Sequence, residues 1–293
     1  MKFTKATRNT TTIKLALCGP SGAGKSYSAL RLARGLVGPA GRIAYIDTEN
    51  QSAKLYSDVT EFFHCDLEAP FEYRKFIDAV HEAEQAGFDC VVIDSLSALW
   101  TWVLDHKSNL DRKGGNSFTN WNDAGKIFNE ALQVILQSKI HVIACMRSKQ
   151  EYVLQEENSK GRTVQVPKKV GLAPIMRDSI EYEFTTVLEI GMDHNCTPSK
   201  DRTGLFVDKT FQITERTGEQ IAHWLAGVTE IPMQDSQCPM PCTETENFLN
   251  LIRHADTKDS LNKIGISIKE STLPESEKDV IRDVYRKRFK SLA

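Results

Sequence analysis

The chain has 293 residues and a mass of 33.0 kDa, and 40% of its residues are hydrophobic while 26% are charged. This composition is typical of a globular protein and excludes bulk disorder. Because 37 Lys and Arg residues face 39 Asp and Glu residues, the net charge is −2. That balance excludes a basic field over the whole molecule, so any contact with nucleic acid must come from local cationic segments.

The sequence carries neither a membrane-spanning pattern nor a secretory pattern. Its apolar runs are shorter than the ~18–20 residues that a membrane-spanning helix needs. The first twelve residues are polar and lack the apolar core of a signal peptide. We therefore expect a cytoplasmic protein with no membrane partner.

Through the first half of the chain, apolar runs alternate with segments of helical spacing. Four short apolar runs predict buried strands: 13–18, 42–47, 90–93 and 140–146. Four further segments predict helices: 26–38, 51–59, 72–86 and 121–137. This alternation indicates βαβ units and a largely parallel sheet.

Two polar stretches interrupt the pattern. Residues 101–119 contain Gly114, Gly115 and Asn116 and predict a loop, and residues 148–175 predict a second, longer one. After them, three short segments predict strands that extend one edge of the sheet in the antiparallel sense, and a helix follows. These segments are 184–190, 205–207 and 211–214, with the helix at 221–225.

Composition also divides the chain into parts. Residues 229–245 are rich in Pro, Gln, Ser and Thr and predict a linker. The linker separates a large α/β domain, 1–228, from a small domain, 246–293. Apolar residues recur at helical spacing in the small domain, so we expect it to be helical.

The turn after the first strand matches the P-loop pattern G-x-x-x-x-G-K-[ST] in full. Its glycines allow the backbone to point successive N–H groups at phosphate oxygens. Lys25 then reaches the terminal phosphates, and the Ser26 hydroxyl ligates Mg²⁺. The pattern therefore predicts ATP and Mg²⁺ as cofactors. The candidate nucleotide-binding residues are Gly19, Pro20, Ser21, Gly22, Ala23, Gly24, Lys25, Ser26 and Tyr27.

Three acidic residues end neighbouring strands. Asp94 directly follows the strongest apolar run and fits a second magnesium partner, although an Asp in this place also fits a helix cap. Asp47 and Glu49 end the second strand. Asp47 suits a cap or a ribose contact, whereas Glu49 lacks an obvious capping role. We therefore favour Glu49 as the base that activates water.

The order of these motifs resembles the RecA-type ATPase core over about residues 13–225. The resemblance lies in GPSGAGKS, AYIDTE, VVIDSLSAL and SKDRTGLFVDKTFQIT. Within this class, the chain is most similar to phage-encoded RecA-like ATPases associated with single-strand annealing and recombination. The resemblance implies an α/β fold, with a largely parallel twisted sheet plus antiparallel edge strands in a RecA-like P-loop core, and a small C-terminal helical domain. It also implies the host cytoplasm as the location.

The resemblance assigns roles to residues outside the P-loop. It makes Glu49 the residue that activates water and places Tyr56 against the adenine ring. Lys200 and Arg202 correspond to two cations that reach the nucleotide of a neighbouring subunit, which implies a homo-oligomer, either a ring or a filament. Arg147 stands where RecA proteins carry a glutamine that senses the γ-phosphate, and an arginine suits the same contact.

The two polar stretches fall where RecA-type proteins place their DNA-binding loops, which implies single-stranded DNA as a partner. Cations in both stretches suit phosphate contacts. The candidate DNA-binding residues are Lys107, Arg112, Lys113, Lys149, Lys160, Arg162, Lys168 and Lys169. Trp102 and Phe118 are candidates for stacking on bases. The C-terminal helices are candidates for contacting a single-strand-binding protein or a nuclease.

Two other functions share the P-loop and Asp94. A motor or helicase-loader subunit would use ATP to remodel a partner. A small-molecule kinase would close an arginine-rich lid, for which 147–177 is the candidate, but would leave Glu49, Lys200 and Arg202 without a role. The favoured prediction is an ATPase that binds single-stranded DNA in recombination or annealing and is stimulated by it.

Overall fold

The computed structural model describes residues 3, 5–114, 116–159 and 162–228, together with isolated positions between 252 and 289. For residues 150–172 it describes the backbone only. The chain divides into two compact units, Met1–Ile231 and Pro232–Ala293. Among the described residues, no helix has the length and apolar character that crossing a membrane requires.

The first unit alternates strands and helices along most of its length. Its strands are β1 (Lys14–Gly19), β2 (Ile43–Asp47), β3 (Phe63–Asp66), β4 (Cys90–Asp94), β5 (His141–Ser159), β6 (Arg162–Pro174), β7 (Thr186–Ile190) and β8 (Cys196–Asp201). Its helices are α1 (Lys25–Val37), α2 (Tyr73–Gln85), α3 (Leu96–Lys113), α4 (Ser117–Gln137) and α5 (Glu215–Ala226). Short 3₁₀ turns cover Ser52–Tyr56 and Ile180–Glu183.

The described strands form one sheet in the order β3-β2-β4-β5-β1-β7-β8, and β6 pairs with the outer part of β5. The pairs among β1, β2, β3, β4, β5 and β7 are parallel. The β5–β6 and β7–β8 pairs are antiparallel. The predicted α/β class, a largely parallel sheet with antiparallel edge strands in a RecA-like core, is therefore confirmed.

Both faces of the central strands are buried, as a parallel sheet requires. Leu15 and Leu17 of β1 face the layer that contains α1 and α5. Ala16 and Cys18 face the opposite layer, which contains α2, α3 and α4. Because every central strand is covered on both sides, the sheet is a rigid platform whose strand ends can hold a site.

The loop predicted over 101–119 is wrong. Helix α3 continues to Lys113, and α4 begins at Ser117. The polar residues lie on exposed helix faces, where Lys107 donates to both Asp111 and Ser117. Gly114, with φ at 99°, ends α3 rather than opening a loop.

The loop predicted over 148–175 is also wrong, because this segment belongs to the β5–β6 hairpin. Ser148 pairs with Pro174 at its base, and Ser159 pairs with Arg162 at its far end. Cross-strand backbone pairing supplies the regularity that the apolar pattern lacks.

The antiparallel edge differs from the prediction. The strand predicted over 205–207 is wrong, because that segment is a turn. In the strand predicted over 211–214, only Phe211 forms a bridge, with Cys196. The edge strand is β8 instead. Apolar periodicity does not predict β8 or β3, because both strands contain polar residues.

The described positions of the second unit are all helical. Three of them, Ile252, Leu261 and Ile281, are buried and form a small apolar cluster with neighbours that include Ile264 and Val284. The predicted linker, 229–245, lies outside the described residues.

Candidate functional site

Strand register brings the predicted site residues to one edge of the sheet. Gly19 at the end of β1 pairs with Arg147 on β5. Asp47 at the end of β2 pairs with Asp94 at the end of β4. Because these strands are parallel, their carboxyl ends meet at the same edge, which is where open α/β sheets bind ligands.

The P-loop follows β1 at this edge. Gly22 and Gly24 have φ values of 82° and 88°, which favour glycine. Gly19 lies so close to the neighbouring strand that a Cβ there would come within 2.7 Å of the Ile190 carbonyl oxygen. Helix α1 starts at Lys25, whose ammonium donates to the Pro20 carbonyl at 2.9 Å. The loop therefore has the bend and the helix N-terminus that a phosphate site uses.

The turn between β7 and β8 packs on the P-loop. His194 Nδ1 lies 3.1 Å from the Ala23 carbonyl oxygen, and because a carbonyl only accepts, Nδ1 carries the proton. A Cβ at Gly22 would lie 3.7 Å from the Met192 methyl group. No pattern in the sequence indicates this contact, because it joins residues about 170 positions apart.

Ser26 and Asp94 form the candidate metal site. The Ser26 hydroxyl donates to Asp94 Oδ2 at 2.5 Å, and the Tyr45 hydroxyl donates to the same oxygen at 2.7 Å. Asp94 is 2% exposed, and its burial raises the pKa of the carboxyl, while the hydrogen bonds from Ser26 and Tyr45 oppose that shift.

The other oxygen of this carboxylate, Asp94 Oδ1, is buried and has no hydrogen-bond partner within the described chain. A buried carboxylate oxygen without a partner is costly unless a ligand satisfies it. Carboxylate and hydroxyl oxygens are the donors that Mg²⁺ prefers. The residues present therefore fit Mg²⁺, with Ser26 and Asp94 as its holders.

Asp47 and Glu49 have separate environments. Asp47 is buried, and its two oxygens accept backbone N–H groups from Glu49 at 2.6 Å and Ala53 at 3.0 Å. His64 Nε2 lies 3.2 Å from the second oxygen. Asp47 therefore shapes the turn after β2, whereas the Glu49 carboxylate is 29% exposed and takes no part in that turn.

Arg147 joins this carboxylate to the hairpin. Its guanidinium contacts Glu49 Oε1 at 2.9 Å. Its backbone N–H donates to the Ser97 hydroxyl at 3.0 Å, and its carbonyl accepts from Ile175 N at 2.6 Å. Arg147 therefore lies where both arms of the β5–β6 hairpin meet the sheet.

Tyr56 lies near the first turn of α1. Its ring contacts that of Tyr27 edge-on, with 6.1 Å between centroids. The Arg31 guanidinium lies 5.6 Å from the Tyr27 centroid and forms a bidentate pair with Glu215. The structure thus brings the predicted adenine contact, Tyr56, to the predicted P-loop residue Tyr27.

Lys200 and Arg202 lie at the other end of the strands from the P-loop, near the start of β7. The Lys200 ammonium donates to the carbonyls of Glu181 and Tyr182, at 2.9 and 2.7 Å. The Arg202 backbone N–H donates to the Thr185 carbonyl, just before β7 begins. The structure therefore does not bring these two cations to the P-loop of their own chain.

The candidate DNA-binding residues fall in two places. Lys107 is tied into the α3–α4 corner by its pair with Asp111, while Arg112 and Lys113 are exposed at the end of α3. Lys149 is exposed near the base of the hairpin. Three others lie on β6, where the backbone alone is described: Arg162, Lys168 and Lys169. Lys160 lies outside the described residues.

The P-loop, the buried Asp94 and the parallel sheet together define a P-loop ATPase with a RecA-like fold. The family model described as an AAA domain (AAA_24) matches residues 11–222, and the chain belongs to this family.

Comparison with solved structures shows a likeness to an archaeal protein. The KaiC-like protein of the archaeon Pyrococcus horikoshii OT3 is 12% identical, with a TM-score of 0.41, and the match covers 68% of this chain and 83% of that one. No curated protein matches the chain.

Proposed function

We propose that this ATPase binds single-stranded DNA in recombination or annealing and that ATP binding and hydrolysis control its hold on the DNA. The observation that carries the proposal is the position of Arg147. This residue pairs with the candidate base, Glu49, and anchors both arms of a cation-bearing hairpin.

The residues of the site divide the chemistry of hydrolysis. Bound Mg²⁺ would supply a positive charge that the phosphate oxygens share. Glu49 accepts a proton from water as the water oxygen bonds to the γ-phosphorus. The bond from that phosphorus to the bridging oxygen breaks, and its electron pair leaves with ADP. Lys25 and the P-loop N–H groups stabilise the charge that develops on the phosphates.

Arg147 provides the link between nucleotide and hairpin. While it is paired with Glu49, the arginine occupies one oxygen of the carboxylate. A γ-phosphate offers the same guanidinium a second anionic partner. Turning toward that phosphate would free Glu49 and shift the segment whose backbone bonds both Ser97 and Ile175.

The hairpin has the charge to contact a nucleic acid backbone. Lys149 lies on β5, and Arg162, Lys168 and Lys169 lie on β6. Cations of this kind bind phosphates in a salt-dependent way. The net charge of −2 makes a local contact of this kind, rather than a whole-molecule field, the route to DNA.

The proposal is tested by comparing ATP turnover and DNA retention with and without single-stranded DNA. We expect DNA to stimulate turnover, and ATP to strengthen DNA retention at about 50–100 mM salt. Replacing Lys149, Lys168 and Lys169 with Gln should spare DNA-free turnover. It should also reduce the slope of log K against log salt by about 2, since each single-strand phosphate contact contributes about 0.7.

A matched control replaces three lysines outside the hairpin, namely Lys54, Lys75 and Lys126, with Gln. This control changes the net charge equally and should leave the salt slope as in the wild type. The Lys25→Ala variant should bind DNA without any response to ATP. If the wild type shows neither stimulation nor retention, the DNA part of the proposal is wrong and a kinase or loader function takes its place.

A further inference from the structure

A tyrosine to which the sequence motifs assign no role touches the candidate metal site. Tyr45 lies in the middle of β2, is fully buried, and donates its hydroxyl to Asp94 Oδ2 at 2.7 Å. The parallel register places Tyr45 opposite Val92, two residues before Asp94 on the neighbouring strand. Its ring packs against Phe62 with 5.5 Å between centroids, which limits its freedom to move.

The two oxygens of the Asp94 carboxylate differ in the hydrogen bonds that they accept from the protein. Oδ2 accepts from two hydroxyls, those of Ser26 and Tyr45, whereas Oδ1 is buried and accepts from none in the described chain. The Ser26 oxygen is the one that a P-loop directs to the metal. If the Ser26 oxygen turns to the metal, the Tyr45 hydroxyl remains as the hydrogen-bond donor to Oδ2.

We propose that Tyr45 is a positioning residue for the magnesium site. Its hydroxyl fixes Oδ2 and so leaves Oδ1 as the free oxygen of the carboxylate. A hydrogen bond to a charged group is strong enough for a change of about tenfold or more in metal affinity. The inference rests on the nucleotide-dependent activity proposed above.

A packing role and a positioning role predict different results for Tyr45→Phe, because phenylalanine keeps the ring and removes only the hydroxyl. Nucleotide binding would be titrated with Mg²⁺ and, separately, measured in EDTA. We expect the Mg²⁺ concentration for half-saturation to rise about tenfold or more. Affinity in EDTA should stay unchanged, since Lys25 and the P-loop backbone are not altered.

The matched control is Tyr73→Phe. This change removes the hydroxyl of another tyrosine in the same unit, one that accepts from Arg74 Nε rather than contacting Asp94. We expect it to leave the Mg²⁺ titration as in the wild type. A second arm combines Tyr45→Phe with Asp94→Asn, where loss of the hydroxyl should have no further effect on Mg²⁺ dependence.

The outcomes separate this inference from the proposed function. A folded Tyr45→Phe variant with wild-type Mg²⁺ dependence would overturn the positioning role while leaving the ATPase intact. Unfolding of that variant in EDTA, or an equal effect of Tyr45→Phe with and without Asp94, would assign the hydroxyl to stability instead. A wild type that binds no nucleotide even with Mg²⁺ would remove both proposals.

Discussion

Asp47 is the last residue of β2, and Glu49 lies two residues further along the chain. Hydrogen bonds from the backbone determine which of the two carboxylates is available for proton transfer. Two N–H groups and a histidine occupy the oxygens of Asp47, so this carboxylate is committed to the turn. The Glu49 carboxylate is held by a side chain, the Arg147 guanidinium, and stays partly exposed. A carboxylate that a side chain can release is better suited to proton transfer than one held by the main chain.

The Glu49→Gln variant tests this division of roles. An amide cannot accept the proton from water, so we expect turnover to fall by ~10²-fold or more. ATP affinity should stay near that of the wild type, because the P-loop is unchanged. Single-turnover kinetics and equilibrium nucleotide binding measure the two effects separately.

The control for this variant is Glu68→Gln, which should change neither quantity. Glu68 is exposed and lies just after β3, which three strands separate from the P-loop strand β1. Equal losses of binding and turnover in Glu49→Gln would instead show that Glu49 supports the fold of the turn.

At the scale of residues, the sequence predicted what a short pattern can encode. The P-loop runs over eight consecutive residues, so Lys25 and Ser26 were found together, and Asp94 was found by the apolar run before it. Tyr45 and His194 escaped, because their hydrogen bonds to Asp94 and Ala23 depend on pairing between distant segments. The role of Asp47 in the turn after β2 could be assigned only from its backbone N–H donors, which the structure shows.

Helices α1 and α5 approach each other so closely that two glycines are required. A Cβ at Gly35 would collide with the Glu215 carbonyl, and one at Gly218 would collide with the Leu32 carbonyl. Neither glycine has a positive φ, so space alone excludes a side chain here. Since α1 begins at Lys25, this contact fixes the helix that carries the phosphate site.

Replacing Gly218 with Ala should push the two helices apart. We expect a loss of about 1–3 kcal/mol in the free energy of unfolding, because backbone atoms cannot yield as a flexible side chain can. Gly125→Ala in α4 is the control, since a Cβ there meets nothing within 4 Å. Alanine is the better helix former, so this control should be neutral or stabilising by up to about 1 kcal/mol.

Denaturant unfolding of both variants measures the difference. If Gly218→Ala were as stable as Gly125→Ala, the close contact between α1 and α5 would be wrong.

At the scale of elements, periodicity located the buried strands and most helices. It failed for segments that have no regular apolar pattern. The end of α3 is polar, and Lys107 and Asp111 stabilise it through a pair at helical spacing that apolar periodicity does not register. The β5–β6 hairpin escaped for a similar reason, because its pairing is between its own two strands.

At the scale of the whole molecule, the two ends of the sheet carry different parts of the site. The P-loop, Glu49 and Asp94 lie where the parallel strands end, whereas Lys200 and Arg202 lie near where β7 begins. One chain therefore cannot bring both sets together. If the two cations act on ATP, a second copy must supply them through a head-to-tail contact, as a ring or a filament would.

Mixing two inactive variants tests this arrangement. One carries Lys25→Ala, and the other carries Lys200→Ala with Arg202→Ala; each alone should turn over little ATP. In an equal mixture, a site works when an intact P-loop meets intact cations from its neighbour, which random assembly gives at about one quarter of the interfaces. Turnover should therefore recover to about a quarter of the wild-type rate. A mixture as inactive as its components would show that a neighbouring chain does not supply the two cations, while a fully active Lys200→Ala, Arg202→Ala variant would place them outside the reaction.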